Sequence, residues 1–333
     1  MKLGLLGLKG HQSVVLAGAR ELGDVEVVGI AEADAAAAER LKKREAVAKN
    51  AVVFADWRRL LDHTAMDVCC VCDENGLRAE QLIALAKAGV HVVTEKPLTT
   101  TLADLAKVRD AWAKAKGRLT MLLTMRHEPK YHVARRLIKE GVIGEVCQVT
   151  SQKSYRLDTR ADWFKSRERL GGIIPFIGIH PIDLMRWTTG LDYTHAAAFQ
   201  GTQGHRDQMG ETESHASVLL RMSNGASATA RLDYLRPQPA PSHGDDRLRV
   251  AGTEGVIEMR EDNPKIMLVT GKRKPYEVEA EKTSNLFTAF VRAVRAGQPT
   301  PIPAEDCFTV TEVVLRARDA AEAGKLVELP RPG

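Results

Sequence analysis

The residues best suited to chemistry begin with Gly4-Leu5-Leu6-Gly7-Leu8-Lys9-Gly10-His11-Gln12, a glycine-containing loop between an apolar run and a helical stretch. A dinucleotide-binding loop needs glycines for a tight turn, for backbone approach to a pyrophosphate, and for helix–strand packing. In the best register Gly7 takes the first glycine position, and Lys9 and Gln12 occupy the other two. Leu8, Gly10 and His11 complete the candidate cofactor contacts, and the helix start behind them offers unpaired N–H groups to an anion. Any strand-to-helix turn can be glycine-rich, so the loop alone reads equally as structural. Glu32 follows the second apolar run, 25 residues after Gly7. An acid there accepts hydrogen bonds from ribose hydroxyls and repels a 2′-phosphate, which favours NAD over NADP. A solvated acid at a strand end is the alternative.

The sharpest signal is Glu95-Lys96-Pro97, directly after the apolar His91–Thr94. A charged pair at the carboxyl end of a buried strand stands at the edge where doubly wound sheets bind ligands. A lysine partly desolvated beside a nicotinamide has a lowered pKa and can exchange a proton with a substrate hydroxyl or carbonyl. Taken alone, a strand-end lysine with no role is the commoner case. Further on, His180 opens a helical stretch. At a helix N-terminus its charged form is disfavoured, which suits it to donate to or accept from a substrate hydroxyl; a capping or packing histidine is the alternative. Asp183, one turn later, either supports the helix start or holds substrate. His180, Asp183 and Glu95 lack a closing partner for a metal ion, so no metal is expected. Arg126, Tyr155 and Trp163 are further candidates for contact with a hydroxylated or carboxylated ligand.

Positioning these residues requires a sheet. Leu3–Leu8, Val25–Ala31, Ala51–Phe54, Asp67–Cys72, His91–Thr94 and Leu119–Leu123 read as short strands, most of them apolar without alternation, which implies cover on both faces. Helical stretches separate them, including Ala35 to about Val47, Trp57–Asp62, Leu77–Ala88 and Leu102–Lys114. Strand–helix repetition gives a doubly wound parallel sheet, an α/β Rossmann domain over residues 1–123. After helix Lys130–Glu140 the strands lengthen and alternate: Gln148–Tyr155, Glu213–Met222, Ala226–Tyr234 and Arg247–Val250. Residues 124–333 therefore read as an α+β domain with a large, mostly antiparallel open sheet, serving substrate binding and oligomerisation. Two helices, Ser284–Ala296 and Pro303–Ala323, close it, the last packing back on the first domain.

Composition limits the partners. With 44% hydrophobic residues, 27% charged residues and a net charge of +5 spread over 333 residues, the chain is an ordinary globular one. No basic stripe points to nucleic acid or to a membrane surface. The first strand starts at Lys2, which leaves no room for a signal peptide, and no apolar run is long enough to span a bilayer. Five cysteines, three of them at Cys69, Cys70 and Cys72, have no zinc-site spacing. Buried free thiols in a reducing cytoplasm are the expectation.

Taken together, these motifs resemble the glucose-fructose oxidoreductase/inositol dehydrogenase (Gfo/Idh/MocA) family across essentially the whole chain. Beside Glu95-Lys96-Pro97, the resemblance is carried by Arg126, Gly141-Val142-Ile143-Gly144-Glu145-Val146, Gly171-Gly172, Gly178-Ile179-His180-Pro181-Ile182-Asp183-Leu184 and Val250-Ala251-Gly252-Thr253-Glu254-Gly255. It implies NAD(P)-dependent oxidation of a sugar, cyclitol or related polyol, with Lys96 and His180 at the reacting hydroxyl, and assembly into a homodimer or homotetramer through the exposed sheet face. The sequence departs from the family at Phe176, where an Asp commonly pairs with the Lys and His. It departs again at Asp73-Glu74-Asn75, where the family has Thr-Pro-Asn, and at Arg78, where the family has His; Arg78 is expected to offset Asp73 or Glu74. Asn75 is retained among the cofactor contacts, and Phe176 places an apolar ring beside the substrate. The same departures support an alternative, a non-redox sugar-binding or partner protein of this fold.

Overall fold

Leu3, Leu5 and Leu6 in β1 (Lys2–Leu6) are fully buried, as are Val68–Val71 and Val92–Val93 further along the chain. Strands buried on both faces need helices on both sides, and α1 (Gln12–Leu22), α2 (Ala35–Lys42), α3 (Trp57–His63), α4 (Asn75–Ala88) and α5 (Leu102–Trp112) alternate with β2 (Glu26–Ala31), β3 (Val47–Phe54), β4 (Val68–Val71), β5 (His91–Thr94) and β6 (Leu119–Met121). The computed structural model, which describes residues 1–280 and 282–330, arranges these strands as one six-stranded sheet in the order β3-β2-β1-β4-β5-β6, parallel throughout. The order reverses direction between β1 and β4, so the loops after these strands, with the one after β5, form the ligand-binding edge.

Two details differ from the expected elements. The helix expected to reach Val47 stops at Lys42, and β3 begins at Val47 instead of Ala51. Val47 and Ala48 are buried against β2, and a register shift between Val27 and Gly29 absorbs the exposed Lys49 and Asn50. By its contacts the chain divides into Met1–Leu122 with Ser284–Phe308, and Leu123–Thr283 with Thr309–Gly333. The helix Leu286–Arg295 therefore belongs to the first unit, in contrast to the single boundary expected at 123/124. Its buried stripe Leu286, Phe287, Phe290 and Val291 explains this, with Asn285 Nδ2 donating to Val14 O at 3.0 Å and Thr288 Oγ1 to Glu21 Oε2 at 3.1 Å.

The second unit contains α6 (Pro129–Lys139), β7 (Val146–Ser154), α7 (Arg167–Leu170), α8 (Ile179–Thr189), β8 (Tyr193–Gly201), α9 (Arg206–Met209), β9 (His215–Met222), β10 (Ser227–Asp233), β11 (Arg247–Gly252), β12 (Gly255–Arg260), β13 (Asn263–Thr270) and β14 (Arg273–Val278). After the helix Leu286–Arg295, here α10, come α11 (Ala304–Ala323) and β15 (Val327–Glu328). The nine-stranded sheet has the order β14-β13-β12-β11-β7-β10-β9-β8-β15. It is antiparallel except for the β7–β10 pair. Val149, Ser151 and Lys153 of β7 point to its covered face, as do Ala228, Ala230 and Leu232 of β10. Among the described residues no helix is long and apolar enough to cross a membrane.

Candidate active site

In the first unit the glycine loop is built by two glycines and two acids. Gly7 has φ +72°, and a Cβ there would stand 2.6 Å from Asp73 Cα, so only glycine lets the β1 loop approach the β4 loop. A Cβ on Gly10 would stand 2.5 Å from Glu95 Cγ, so the second glycine makes room for an acid from the end of β5. Glu95 Oε1 accepts from His11 N at 2.5 Å and meets His11 Nδ1 at 2.5 Å. Glu32, at the end of β2, accepts from Leu8 N at 3.0 Å and from Asp34 N at 2.9 Å. Lys9 N donates to Cys72 O at 2.7 Å. The expected cofactor residues of the first unit thus lie together at the start of α1, where Val14 N already donates to His11 O at 2.9 Å.

Lys9 turns towards the neighbouring loop. Its Nζ lies 2.8 Å from Asp73 Oδ1 and 3.4 Å from Glu74 Oε1. Burial alone would lower the Lys9 pKa, but the Asp73 hydrogen bond and the charges of Asp73, Glu74 and Glu32 raise it above its ordinary value. Asp73 is lowered in turn: burial opposes this, and the bond and charge of Lys9 outweigh burial. Lys9 is therefore the cation paired directly with these carboxylates, and the charge of Asp73 acts on the expected Arg78 as well. Arg78 is buried and donates to three oxygens, Pro97 O at 2.5 Å, Asp73 O at 2.8 Å and Asn75 Oδ1 at 3.0 Å. It clamps the loop after β4 to the loop after β5, because its fork reaches acceptors on both. Asn75 is one of these acceptors.

Lys96 is 4% exposed and its backbone N–H donates to Glu95 Oε2 at 3.1 Å. Burial would push the Glu95 carboxyl up, but the bond and charge of His11, then the charges of Lys96 and Arg78, hold it at about 2 against 4.5 ordinarily. A depressed folded-state value stabilises above the unfolded value and loses that contribution as pH falls through the folded one. The window here is about 4.5 down to about 2, and linkage makes the contribution roughly 3 kcal/mol. We expect stability to fall more steeply between neutral pH and about pH 3 in the native protein than in Glu95→Gln. Urea unfolding at both pH values checks this, and equal losses in the two proteins would refute the role of Glu95.

In the second unit a π-helical turn, Ile174–Gly178, runs straight into α8. His180 therefore lies inside a continuous helical path, where the expectation had been a free helix N-terminus. Gly178 before α8 is itself helical, at φ −67° and ψ −23°, so the N–H groups there do not form an open helix start. π-turns widen a helix by one residue and recur at functional sites. This one carries Phe176, whose ring meets Phe164 at 5.0 Å and Trp163 at 6.1 Å, both edge-on. His180 is buried. Asp183 is paired with Arg126: Nε donates to Oδ2 at 2.8 Å and Nη2 to Oδ1 at 2.5 Å, with both side chains 3% exposed. Tyr155 is half-buried, its ring 4.9 Å from His243 and 6.2 Å from Tyr234.

Sequence reasoning passed over Lys153, Asp246, Arg160 and Tyr234. Lys153 is buried and ion-paired with Asp246, and its ammonium lies 5.0 Å from the centre of the Tyr155 ring. Its signal was legible: in an alternating strand, Lys153 takes the inward positions of Val149 and Ser151. Among the described residues no group of three or more His, Cys, Asp and Glu side chains could hold a metal ion. Of the five cysteines, Cys69, Cys70, Cys72 and Cys307 are buried and free and Cys147 is exposed and free.

Residues 1–123 match the oxidoreductase family with an NAD-binding Rossmann fold, and residues 131–258 match the GFO/IDH/MocA C-terminal domain. A D-xylose 1-dehydrogenase (NADP(+)) from Haloferax volcanii is 26% identical, over 99% of this chain and 100% of the relative. A myo-inositol 2-dehydrogenase from Thermotoga maritima is 24% identical, over 99% and 98%. The solved structure of an oxidoreductase described as putative, also from Thermotoga maritima, superposes with a TM-score of 0.92 at 31% identity, over 99% of this chain and 100% of that one.

Proposed function

Because the chain belongs to the GFO/IDH/MocA oxidoreductase family, we propose that it is a dehydrogenase that oxidises a hydroxyl of a sugar, cyclitol or related polyol with NAD. The observation that carries the reading is the buried Glu95-Lys96 step at the carboxyl end of β5, against the glycine loop. The residues fit a dinucleotide: two loop positions that admit no Cβ, the N-terminal N–H groups of α1, and a carboxylate at the end of β2. When bound, the nicotinamide supplies the carbon that accepts hydride.

Lys96, as the neutral amine, takes the proton of the substrate hydroxyl and becomes an ammonium that the Glu95 charge favours, and Glu95 also holds the loop through His11. Glu32 favours NAD, because its carboxylate repels a 2′-phosphate; the NADP-dependent xylose relative marks the other choice. His180 is assigned to orient the substrate oxygen, with Tyr155, Trp163 and Phe176 as substrate contacts, on their motif positions. Phe176 removes a carboxylate from the proton path, so Lys96 acts alone or through a water. The first unit is the cofactor-binding domain and the second the substrate-binding and oligomerisation domain. Phe199, 80% exposed, and Leu219 stand on neighbouring strands of the large sheet, which supports a homodimer or homotetramer; a monomeric mass by light scattering would refute it. The free buried cysteines support a cytoplasmic location.

One observation favours the second reading, a non-redox sugar-binding or partner protein. The N–H groups of Leu8 and His11 are already bonded to carboxylates, and Lys9 is held by Asp73 and Glu74. Calorimetric titration of NADH into cofactor-free protein separates the two. The dehydrogenase reading expects saturable one-to-one binding with Kd in the range of about 1 μM to 1 mM usual for enzyme ligands. Absence of saturation in folded protein would favour the non-redox reading.

A further inference from the structure

We propose that Arg160 is a carboxylate-binding residue of the substrate site, so that the sugar this protein takes carries an acid group. The proposal rests on the sugar reading above for the kind of ligand, and on named contacts of the second unit for the acid.

The Arg160 guanidinium carbon lies 5.1 Å from the centre of the Phe164 ring and 5.2 Å from that of Tyr234. Two aromatic rings restrict the planar fork and leave its edges as donors. One of those donors is used: Nη2 bonds to Arg156 O at 3.2 Å. The Nε is buried and has no acceptor. Among the described residues no carboxylate lies within ion-pair distance of Arg160. The acid two residues earlier, Asp158, feels the Arg160 charge but takes its hydrogen bonds elsewhere, accepting from Gln238 Nε2 at 2.9 Å and pairing with His243 Nδ1 at 2.9 Å. In its other contacts Phe164 packs with Trp163, Leu170 and Phe176 in an apolar cluster.

A second observation lies on the opposite ring. Tyr234 is fully buried, and its hydroxyl has no hydrogen-bond partner. A buried hydroxyl and a buried guanidinium N–H, both unmet, carry a desolvation cost of about 1–3 kcal/mol each, which a ligand oxygen would remove. The Tyr155 ring, proposed above to contact substrate, is 6.2 Å from that of Tyr234, which connects Arg160 to that site.

The chemistry favours carboxylate over phosphate. Of the neighbouring cations, Lys153 is paired with Asp246 and Arg236 donates to Ser242 O, while Arg156 donates to Ala240 O and, like Arg160, keeps a buried Nε with no acceptor. The Arg160 fork, restricted by two rings, matches a planar carboxylate bidentately.

The test is calorimetry with three hexuronates (D-glucuronate, D-galacturonate, D-mannuronate), their parent aldoses and D-glucose 6-phosphate, run with and without NADH. The proposal expects one uronate to bind about 10-fold or more tighter than its aldose, the size of a charged hydrogen-bonded contact. In Arg160→Met that preference disappears while affinity for the aldose stays the same, and Arg160→Lys keeps part of it. Thermal melting identifies a variant that has not folded, in which case Arg160→Lys carries the comparison. Equal binding of uronate and aldose, tighter binding of the sugar phosphate, a preference that survives Arg160→Met, or no binding of any uronate would each overturn the proposal. The titrations without NADH read the acid preference independently, so failure of NADH to bind counts against the dehydrogenase reading alone.

Discussion

Lys96→Ala lowers turnover of the best sugar or polyol substrate by about 10²- to 10⁴-fold, the usual contribution of a positioned acid–base group, while NADH affinity stays nearly unchanged. The asymmetry follows from where the lysine is held. Its side chain is buried at the end of β5, away from bulk solvent. The cofactor loop is held by other atoms: His11 on Glu95, Leu8 on Glu32 and Lys9 on Asp73. Removing Lys96 leaves those bonds in place and leaves Glu95 facing the charges of His11 and Arg78. The loss should fall on kcat, because an interaction made mainly in the transition state affects kcat and kcat/KM alike. Steady-state kinetics beside NADH calorimetry checks this. Unchanged turnover would end the acid–base assignment, and lost NADH binding would make Lys96 a cofactor anchor instead.

The first unit was largely legible in the sequence because its signals are local. Continuous apolar strands such as Val68–Val71, a glycine at the end of β1 and a charged pair at the end of β5 each need only a few adjacent residues to be recognised. The second unit was legible where strands alternate, as in His215–Met222, and was missed where they do not. β8 passes through Ala196-Ala197-Ala198, which has little strand preference of its own, and is held by its pairing with β9. β14, an edge strand, opens with Arg273-Lys274-Pro275, residues that protect a sheet edge and disguise a strand. The site divides the same way. Gly7, Glu32 and Lys96 stand in recognisable local contexts, whereas the Lys9–Asp73 pair joins residues 64 apart and the Arg126–Asp183 pair residues 57 apart. Such pairings depend on how strands and helices meet, which a single sequence does not encode locally. The π-turn under Phe176 is a third case: it depends on packing against Phe164 and has no sequence marker.

Arg126→Met destabilises the protein by about 3–5 kcal/mol, the cost of leaving a buried charge without its partner. Asp183 sits in α8, one helical turn beyond His180, and both of its carboxylate oxygens are taken by the Arg126 fork. Arg126 comes from the 3-10 turn Thr124–His127 at the start of the second unit, and its guanidinium carbon is also 5.8 Å from the Trp187 ring centre. The pair therefore joins the turn that opens the second unit to the helix that carries His180. With those donors and acceptors engaged in each other, we assign Arg126 and Asp183 to positioning α8, with substrate contact left to neighbouring side chains. The double variant Arg126→Met, Asp183→Leu should recover much of the loss, because removing both charges removes the uncompensated one. Urea unfolding of the wild type, both single variants and the double variant completes the cycle. A single-variant cost under about 1 kcal/mol would place the pair with ordinary surface ion pairs. A double variant as unstable as the sum of the singles would show that the two residues act separately, and the positioning of α8 would then need another source.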